Sequence, residues 1–174
     1  MFLDRDGVIS RPIVRERRPY APGSLEELEV LPGVPEALHA LKAAGYQLVM
    51  VTNQPDVARG TTSKAVVDSI HQRLTAMLPL DAVFTCLHDD GDRCECRKPL
   101  PGLITQAAQE LDIDRVASYL VGDRWRDIEA GRRAGCRTFF VDHDYDEPRP
   151  QSYDFRVSSL VEAARVILQA DRSA

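Results

Sequence analysis

Long apolar runs are missing from this 174-residue chain, and no stretch approaches the roughly 18 residues that a membrane-crossing helix needs. Positive charge is also short: 27 acidic side chains outnumber 22 basic ones, leaving a net charge of −5. That balance weighs against a general nucleic-acid binder, which relies on cations to meet the phosphate backbone. Aromatic residues make up 6%, with the single Trp at Trp125, so no aromatic-and-basic stripe is available to stack single-stranded bases. Cysteine is sparse at four, and three of the four crowd between Cys86 and Cys96. Neighbours of the Cys94/Cys96 kind rarely pair with each other, which argues against a disulfide-stapled fold. A metal site, or reduced thiols in a cytosolic compartment, fits better. The start, Met1-Phe2-Leu3-Asp4, lacks a signal-peptide layout, so the expected location is cytoplasmic. Internal repeats, low-complexity tracts and linkers are absent too. The expectation is one domain over residues 1–174, long enough to bury a sizeable core.

What is present is a rhythm. Short apolar, β-branched runs alternate with amphipathic stretches, the mark of an α/β protein with a mostly parallel sheet. Strands are expected at 1–4, 47–52, 82–87, 117–121, 137–141 and 155–157, and helices at 35–44, from Thr62 or Ser63 to about Met77, at 102–111, 125–134 and 160–170. Residues 5–24 are expected to be irregular, with Pro12, Pro19, Pro22 and Gly23 opposing regular structure. The fold class that follows is a three-layer, Rossmann-like domain with helices on both sides of the sheet.

In such sheets, ligands bind beyond the carboxyl ends of the strands. Four of these ends carry polar clusters: Asp4-Arg5-Asp6-Gly7, Thr52-Asn53-Gln54, the loop ending Arg97-Lys98-Pro99, and Gly122-Asp123. Asp4 and Asp6, two apart on an extended chain, point the same way and can share one pocket, while Gly7 permits a sharp turn. Alone, Asp-x-Asp-Gly is equally a turn or a calcium-type loop; an apolar strand directly ahead favours catalysis. Thr52 and Asn53 supply a hydroxyl and an amide suited to phosphoryl oxygens, or simply cap a loop. Lys98 is a compact cation near a helix start, or a surface lysine. Asp123, with Asp127 four residues on, is otherwise a helix cap.

A second constellation is Cys86-Leu87-His88, five residues, then Cys94-Glu95-Cys96. Three thiols and an imidazole complete a tetrahedral Zn²⁺ set with no position open for substrate, so the zinc would be structural. It would close a loop that lacks secondary structure and fix Arg97 and Lys98 just after the last ligand. The plainer alternative is three unconnected thiols and a surface histidine.

The order Asp-x-Asp-Gly, Thr-Asn, Lys-Pro, Gly-Asp-x-x-x-Asp, each element after a strand, resembles the haloacid dehalogenase superfamily of phosphotransfer enzymes from Phe2 to about Asp142. The resemblance implies Mg²⁺-dependent phosphomonoester hydrolysis through an aspartyl-phosphate. Asp4 would be the nucleophile and Asp6 the general acid and then base. Thr52 and Asn53 would hold the phosphoryl group and Lys98 would balance its charge. Mg²⁺ would sit on Asp4, Asp123 and the backbone carbonyl of Asp6. Asp127 would orient either the Mg²⁺ shell or Lys98.

The zinc loop with Cys96-Arg97-Lys98-Pro99 is similar to one zinc-containing group without a cap domain, comprising D-glycero-D-manno-heptose 1,7-bisphosphate phosphatases and histidinol-phosphate phosphatases. Ala58-Arg59-Gly60 resembles the heptose branch and makes Arg59 a substrate-binding candidate. Pro55-Asp56, where that branch usually shows Ser-Gly, and the Arg- and Pro-rich segment Arg11 to Pro22 depart from it. Charge adds an independent reason. Arg11, Arg15, Arg17 and Arg18 against Glu16 give the loop after the catalytic strand a local +3, which suits a substrate with a second anionic group. Arg15 and Arg97 are therefore candidates for substrate recognition. The expected partner is a small phosphorylated metabolite, with no nucleic acid, no membrane and a monomeric state. Rival readings are a histidinol-phosphate phosphatase and a non-catalytic phosphate-binding protein, although the latter predicts loss of Asp4, Asp6, Lys98 or Asp123, all of which are present. A nucleic-acid 3′-phosphatase and a phosphomutase fit less well: the balance is acidic, and no segment is long enough for a lid.

Overall fold

The computed structural model describes residues 1–171. Residues 172–174, which the expected 1–174 unit includes, lie outside the described residues. In chain order the elements are β1 (Phe2–Leu3), β2 (Ile13–Arg15), β3 (Arg18–Tyr20), α1 (Val34–Ala43), β4 (Val49–Asn53), α2 (Lys64–Met77), β5 (Ala82–Cys86), α3 (Gly102–Glu110), β6 (Tyr119–Gly122), α4 (Trp125–Ala134), β7 (Arg137–Val141), β8 (Phe155–Val157) and α5 (Leu160–Asp171). Six strands form one parallel sheet in the order β5-β4-β1-β6-β7-β8. This is the Rossmann-like, three-layer arrangement that the alternating sequence implies.

The central strands are buried on both faces because successive side chains point to opposite sides and both sides carry helices. Leu3, Met50, Val121 and Phe139 enter one core with side chains of α1, α2 and α5, including Leu38, Leu41, Ile70, Leu74 and Ile167. Their neighbours Phe2, Val49, Leu120 and Phe140 enter the other core with Leu103, Ile104 and Ile128 of α3 and α4. Helix α1 buries Val34, Ala37, Leu38 and Leu41, a single stripe at helical spacing. It ends before Gly45, whose φ of 92° is the left-handed stop that glycine allows. Ser63 caps α2 by accepting from the Val66 amide at 3.2 Å, and Ser159 accepts from Glu162 at the start of α5.

One expectation is corrected. The 5–24 segment is not irregular throughout: β2 and β3 form an antiparallel ribbon with Val14 opposite Pro19. Proline is tolerated because a two-stranded ribbon is all edge, so its missing N–H removes no obligatory ladder bond. Glu16 and Arg17 make the two-residue turn with φ of 48° and 60°, the backbone hand that matches strand twist. The ribbon is anchored from afar. Arg17 donates to the carbonyl and carboxylate of Asp144 at 3.0 and 2.9 Å, and its own carbonyl accepts from the Asp146 amide.

Candidate active site and metal centres

The central strands β1, β4 and β6 end side by side, and each hands over to a polar residue. The Asp4 amide donates to the Val121 carbonyl at 3.0 Å, which fixes the chain where it leaves β1. Asp123 follows β6 directly. Gly7 turns back beneath it with φ of 86°, and a Cβ there would lie 1.9 Å from Asp123 Oδ2. Glycine is required here on both counts. Gly122 is equally constrained, since a Cβ would lie 2.2 Å from the Cβ of Asp127.

Asp4, Asp123 and Asp127 are all buried, and each brings a carboxylate oxygen within 4.8 Å of the others. Lys98, only 2% exposed, enters this group from the far loop. Its Nζ donates to Asp4 Oδ1 at 2.6 Å and to the Val51 carbonyl at 2.9 Å, and lies 2.5 Å from Asp127 Oδ1. Burial alone would lower the ammonium pKa, but the Asp127 and Asp4 carboxylates reverse that and raise it. Asp4 is pushed up to about 7 by burial, opposed by Lys98 and reinforced by Asp127 and Asp6. Asp123 is also raised well above the carboxylate range, by burial and then by Asp4 and Asp127.

Asp127 is fully committed. One oxygen meets Lys98, and the other accepts from the Arg124 amide at 3.0 Å at the start of α4. Of the two roles open to it, orienting Lys98 matches the geometry. Asp123 is the reverse case. Both of its carboxylate oxygens are buried without a hydrogen bond of good geometry, although the Tyr145 hydroxyl lies close enough that Asp123 helps to raise its pKa, after burial. Orphaned buried oxygens are costly unless something positive occupies them. Hard carboxylate oxygens opposite Asp4, with this surplus of negative charge, fit a divalent cation such as Mg²⁺.

Asp6 is half-buried and heavily held. Arg5 forks onto both of its oxygens at 3.0 and 2.9 Å, Ser10 donates at 3.2 Å and Gln54 at 3.0 Å. The Asn53 side chain donates to the Lys98 carbonyl and accepts from the Lys98 amide, both at 3.1 Å, so it splices the end of β4 to the loop that delivers the lysine.

An open cavity above these groups is lined by Asp4, Asp6, Asn53, Lys98, Asp123 and Asp127 on its floor. Arg18, Tyr20, Asp56, Arg59, Arg124, Arg126 and Glu147 stand around it. Three of the expected substrate or phosphoryl contacts are not in the lining. Thr52 is 1% exposed, and its hydroxyl accepts from Gln54 at 2.9 Å, so it supports the site from beneath. Arg97 turns into the cysteine loop, donating to Asp90 at 2.8 Å and to the His88 carbonyl at 3.2 Å. Arg15, exposed on β2, lies over the Tyr20 ring and is not itself in the lining. Arg59 does line the cavity, with its guanidinium on Asp89 and Asp56.

Of the basic loop expected to face a second anionic group, Arg18 lines the cavity; Arg124 and Arg126 are cavity residues that the sequence did not single out. Arg124 and Arg126 left a signal: two arginines at a helix N-terminus oppose the helix dipole and call for another explanation. Arg124 forks onto Glu147, and Arg126 pairs with Asp90. Arg18 has no carboxylate partner among the described residues.

The four expected zinc ligands converge at the end of β5. Cys86 Sγ lies 3.0 Å from Cys96 Sγ and 4.0 Å from Cys94 Sγ, and His88 Nδ1 is 3.5 Å from Cys86 and 3.3 Å from Cys96. The thiols are free. Sulfurs sharing a tetrahedral Zn²⁺ with ordinary bond lengths stand roughly 3.8 Å apart; the Cys86–Cys94 separation is close to this and the Cys86–Cys96 one is shorter, and the three thiols with one imidazole are a donor set that suits the ion.

Comparison with known proteins places these features. The haloacid dehalogenase-like hydrolase family matches residues 5–135. The D-glycero-beta-D-manno-heptose-1,7-bisphosphate 7-phosphatase of Bordetella bronchiseptica is 36% identical over 146 residues, 81% of this chain and 79% of that one. The Yersinia pestis enzyme of the same name is 37% identical over 152 residues, covering 79% and 77%. Among solved structures, the B. bronchiseptica D,D-heptose 1,7-bisphosphate phosphatase complexed with magnesium and phosphate aligns over 98% of both chains. Its TM-score is 0.83 at 32% identity. The corresponding Burkholderia thailandensis phosphatase aligns over 96% of both, with a TM-score of 0.66 at 26% identity.

Proposed function

The chain belongs to the haloacid dehalogenase-like hydrolase family and is a phosphatase, and from that premise we propose that it hydrolyses a sugar bisphosphate, D-glycero-D-manno-heptose 1,7-bisphosphate. One observation carries the reading: the buried Asp4–Lys98 pair faces the unpartnered Asp123 carboxylate, beneath a cavity that arginines surround.

Asp4 attacks phosphorus, and the bond from phosphorus to the sugar oxygen breaks. Asp6 gives its proton to that oxygen, then takes one from the water that attacks the aspartyl-phosphate, and the bond from phosphorus to Asp4 breaks to release phosphate. Asn53 and Lys98 face the phosphoryl oxygens, and Thr52 holds Gln54, whose amide donates to Asp6. Mg²⁺ would be held by Asp4, Asp123 and the Asp6 carbonyl, and would supply the positive charge that lets a carboxylate approach a phosphate dianion. Zn²⁺ would be held by Cys86, His88, Cys94 and Cys96 and would fix the loop that delivers Lys98.

The arginines favour a second anionic group. Arg18 is free to meet it, and Arg59, Arg124 and Arg126 add positive potential. Histidinol phosphate carries an amine and would need an unpaired carboxylate. Asp56 and Glu147 line the cavity, but Arg59 and Arg124 already engage them. The same reading makes the protein a monomeric cytoplasmic enzyme of small metabolites, with neither nucleic acid nor membrane as partner. No helix among the described residues is long and apolar enough to cross a membrane.

The test is phosphate release with Mg²⁺ from both anomers of the heptose bisphosphate and from histidinol phosphate, with Asp4→Asn as the blank. Preference for the bisphosphate, abolished in the blank, is expected. Preference for histidinol phosphate would overturn the substrate and keep the mechanism. Turnover of neither would overturn the substrate class.

A further inference from the structure

Arg5 is completely buried and is the largest side chain so enclosed. A buried guanidinium needs partners for all of its edges. Its Nε and one terminal nitrogen fork onto Asp6, and the other terminal nitrogen meets His71 Nε2 at 3.0 Å. An arginine can only donate, so His71 Nε2 accepts and the ring proton sits on Nδ1, which faces Thr85 Oγ1 at 3.5 Å. The ring is neutral: burial, then Arg5, lowers its pKa to about 4. His71 comes from α2, between the core residues Ile70 and Leu74, so its position is set by the packing of that helix.

We propose that His71 is a positioning residue for proton transfer to the leaving group, acting through Arg5 to hold Asp6 in its working orientation. This rests on the reading of Asp6 as the general acid. Loss of the acceptor at Nε2 strands one edge of a buried cation, and the relief available to Arg5 is to rotate, which takes its fork off Asp6. Proton transfer from a misaligned acid slows, whereas the attack of Asp4 on phosphorus does not pass through His71.

Leaving groups separate these two effects. A sugar alkoxide must be protonated as it departs, whereas p-nitrophenolate leaves as the anion and needs no acid. The experiment measures kcat/KM, which reports steps up to phosphoryl transfer, for the sugar phosphate and for p-nitrophenyl phosphate. It uses wild type, Asp6→Asn, His71→Leu, His71→Asn and His71→Gln, each with a thermal melt. Gln can place its oxygen where Nε2 stands, whereas the shorter Asn cannot. The expected result is a loss of roughly tenfold to a hundredfold on the sugar phosphate for Leu and Asn. Loss on the aryl ester should be no more than about threefold, and Gln should restore most of the activity. Equal losses on both esters, no loss in a folded variant, or failure of all three variants to fold would assign His71 to the core and overturn the proposal. Asp6→Asn is the control for the underlying reading. If it shows no contrast between esters, Asp6 is not the acid; if it does and His71 does not, only the positioning role fails.

Discussion

Replacing Lys98 by Met removes the cation shared by three buried acids while keeping a stem of similar length. The ammonium lies 2.6 Å from Asp4 and 2.5 Å from Asp127, with Asp123 in the same cluster. Removing one partner of a buried ion pair costs about 3–5 kcal/mol, because the other charge stays buried and uncompensated. For a chain of this size each kcal/mol moves Tm by about 2–4 °C. The variant should therefore melt about 6–20 °C below wild type near pH 8 without Mg²⁺. Acidity should relieve the defect. Asp4 and Asp123 are raised above 3.8 even with the lysine in place, and its loss raises Asp4 further. A carboxyl whose folded pKa exceeds its unfolded value binds more protons when folded, so its penalty is full above the folded pKa and disappears as pH falls through it. The gap between variant and wild type should narrow from pH 8 to pH 5, and added Mg²⁺ should narrow it at pH 8. Melts followed by circular dichroism measure both. A gap that is absent, or equal at the two pH values, would refute the account of shared charge.

Three further outcomes are expected. Cys94→Ser should lose the zinc, about one ion per chain by elemental analysis, and with it both thermal stability and Mg²⁺-dependent turnover; a variant intact in both would remove zinc from the structure of the loop. Gly7→Ala should lose about 1–3 kcal/mol in urea unfolding from backbone strain and should need more Mg²⁺ for half-maximal turnover, because the methyl displaces Asp123; unchanged Mg²⁺ dependence would contradict the placement of Asp123. Since His71 is neutral in the folded chain with a pKa of about 4, and the unfolded histidine protonates near 6.5, wild-type stability should fall between those values as pH drops. The fall is up to about 3 kcal/mol, and His71→Gln should lack it when urea midpoints are compared at pH 7.5 and 4.5.

Much of the site was legible because its groups stand at strand ends, where apolar runs stop and polar residues begin. Asp4, Asn53 and Asp123 could be placed in one pocket from that pattern alone, and the cluster of Cys86, His88, Cys94 and Cys96 could be placed by its paired spacing. What stayed hidden depends on contacts distant in sequence. The ribbon β2–β3 looks like a proline-broken loop because its anchor, Asp144 with Asp146, lies about 127 residues away. Arg97 adjoins Lys98 in sequence, yet it points the other way because Asp90 and the His88 carbonyl lie within the cysteine loop itself. Arg5 looks like a solvent-facing arginine between two acids, and only the packing of α2 shows it enclosed against His71.

The charges of the floor and of the rim answer different needs. On the floor, three buried carboxylates face one buried ammonium, which leaves two negative charges uncompensated, the charge of a single divalent cation. Burial first, and then the neighbouring carboxylates, raise the pKa values of Asp4 and Asp123, so protons are favoured there when no cation is bound. Once the deficit is filled, the floor is close to neutral and can accept a phosphoryl dianion, but it has nothing left for a second phosphate. That task falls to the rim. There Arg59, Arg124 and Arg126 are already paired with Asp89, Glu147 and Asp90, so they hold their positions without lending a full free charge. Arg18 alone among these four has no such partner in the described residues, and it rides on the ribbon whose turn is anchored to Asp144. Selectivity for a bisphosphate should therefore depend more on Arg18 than on the arginines nearer the catalytic motifs, whereas the rate of phosphoryl transfer should depend on the floor.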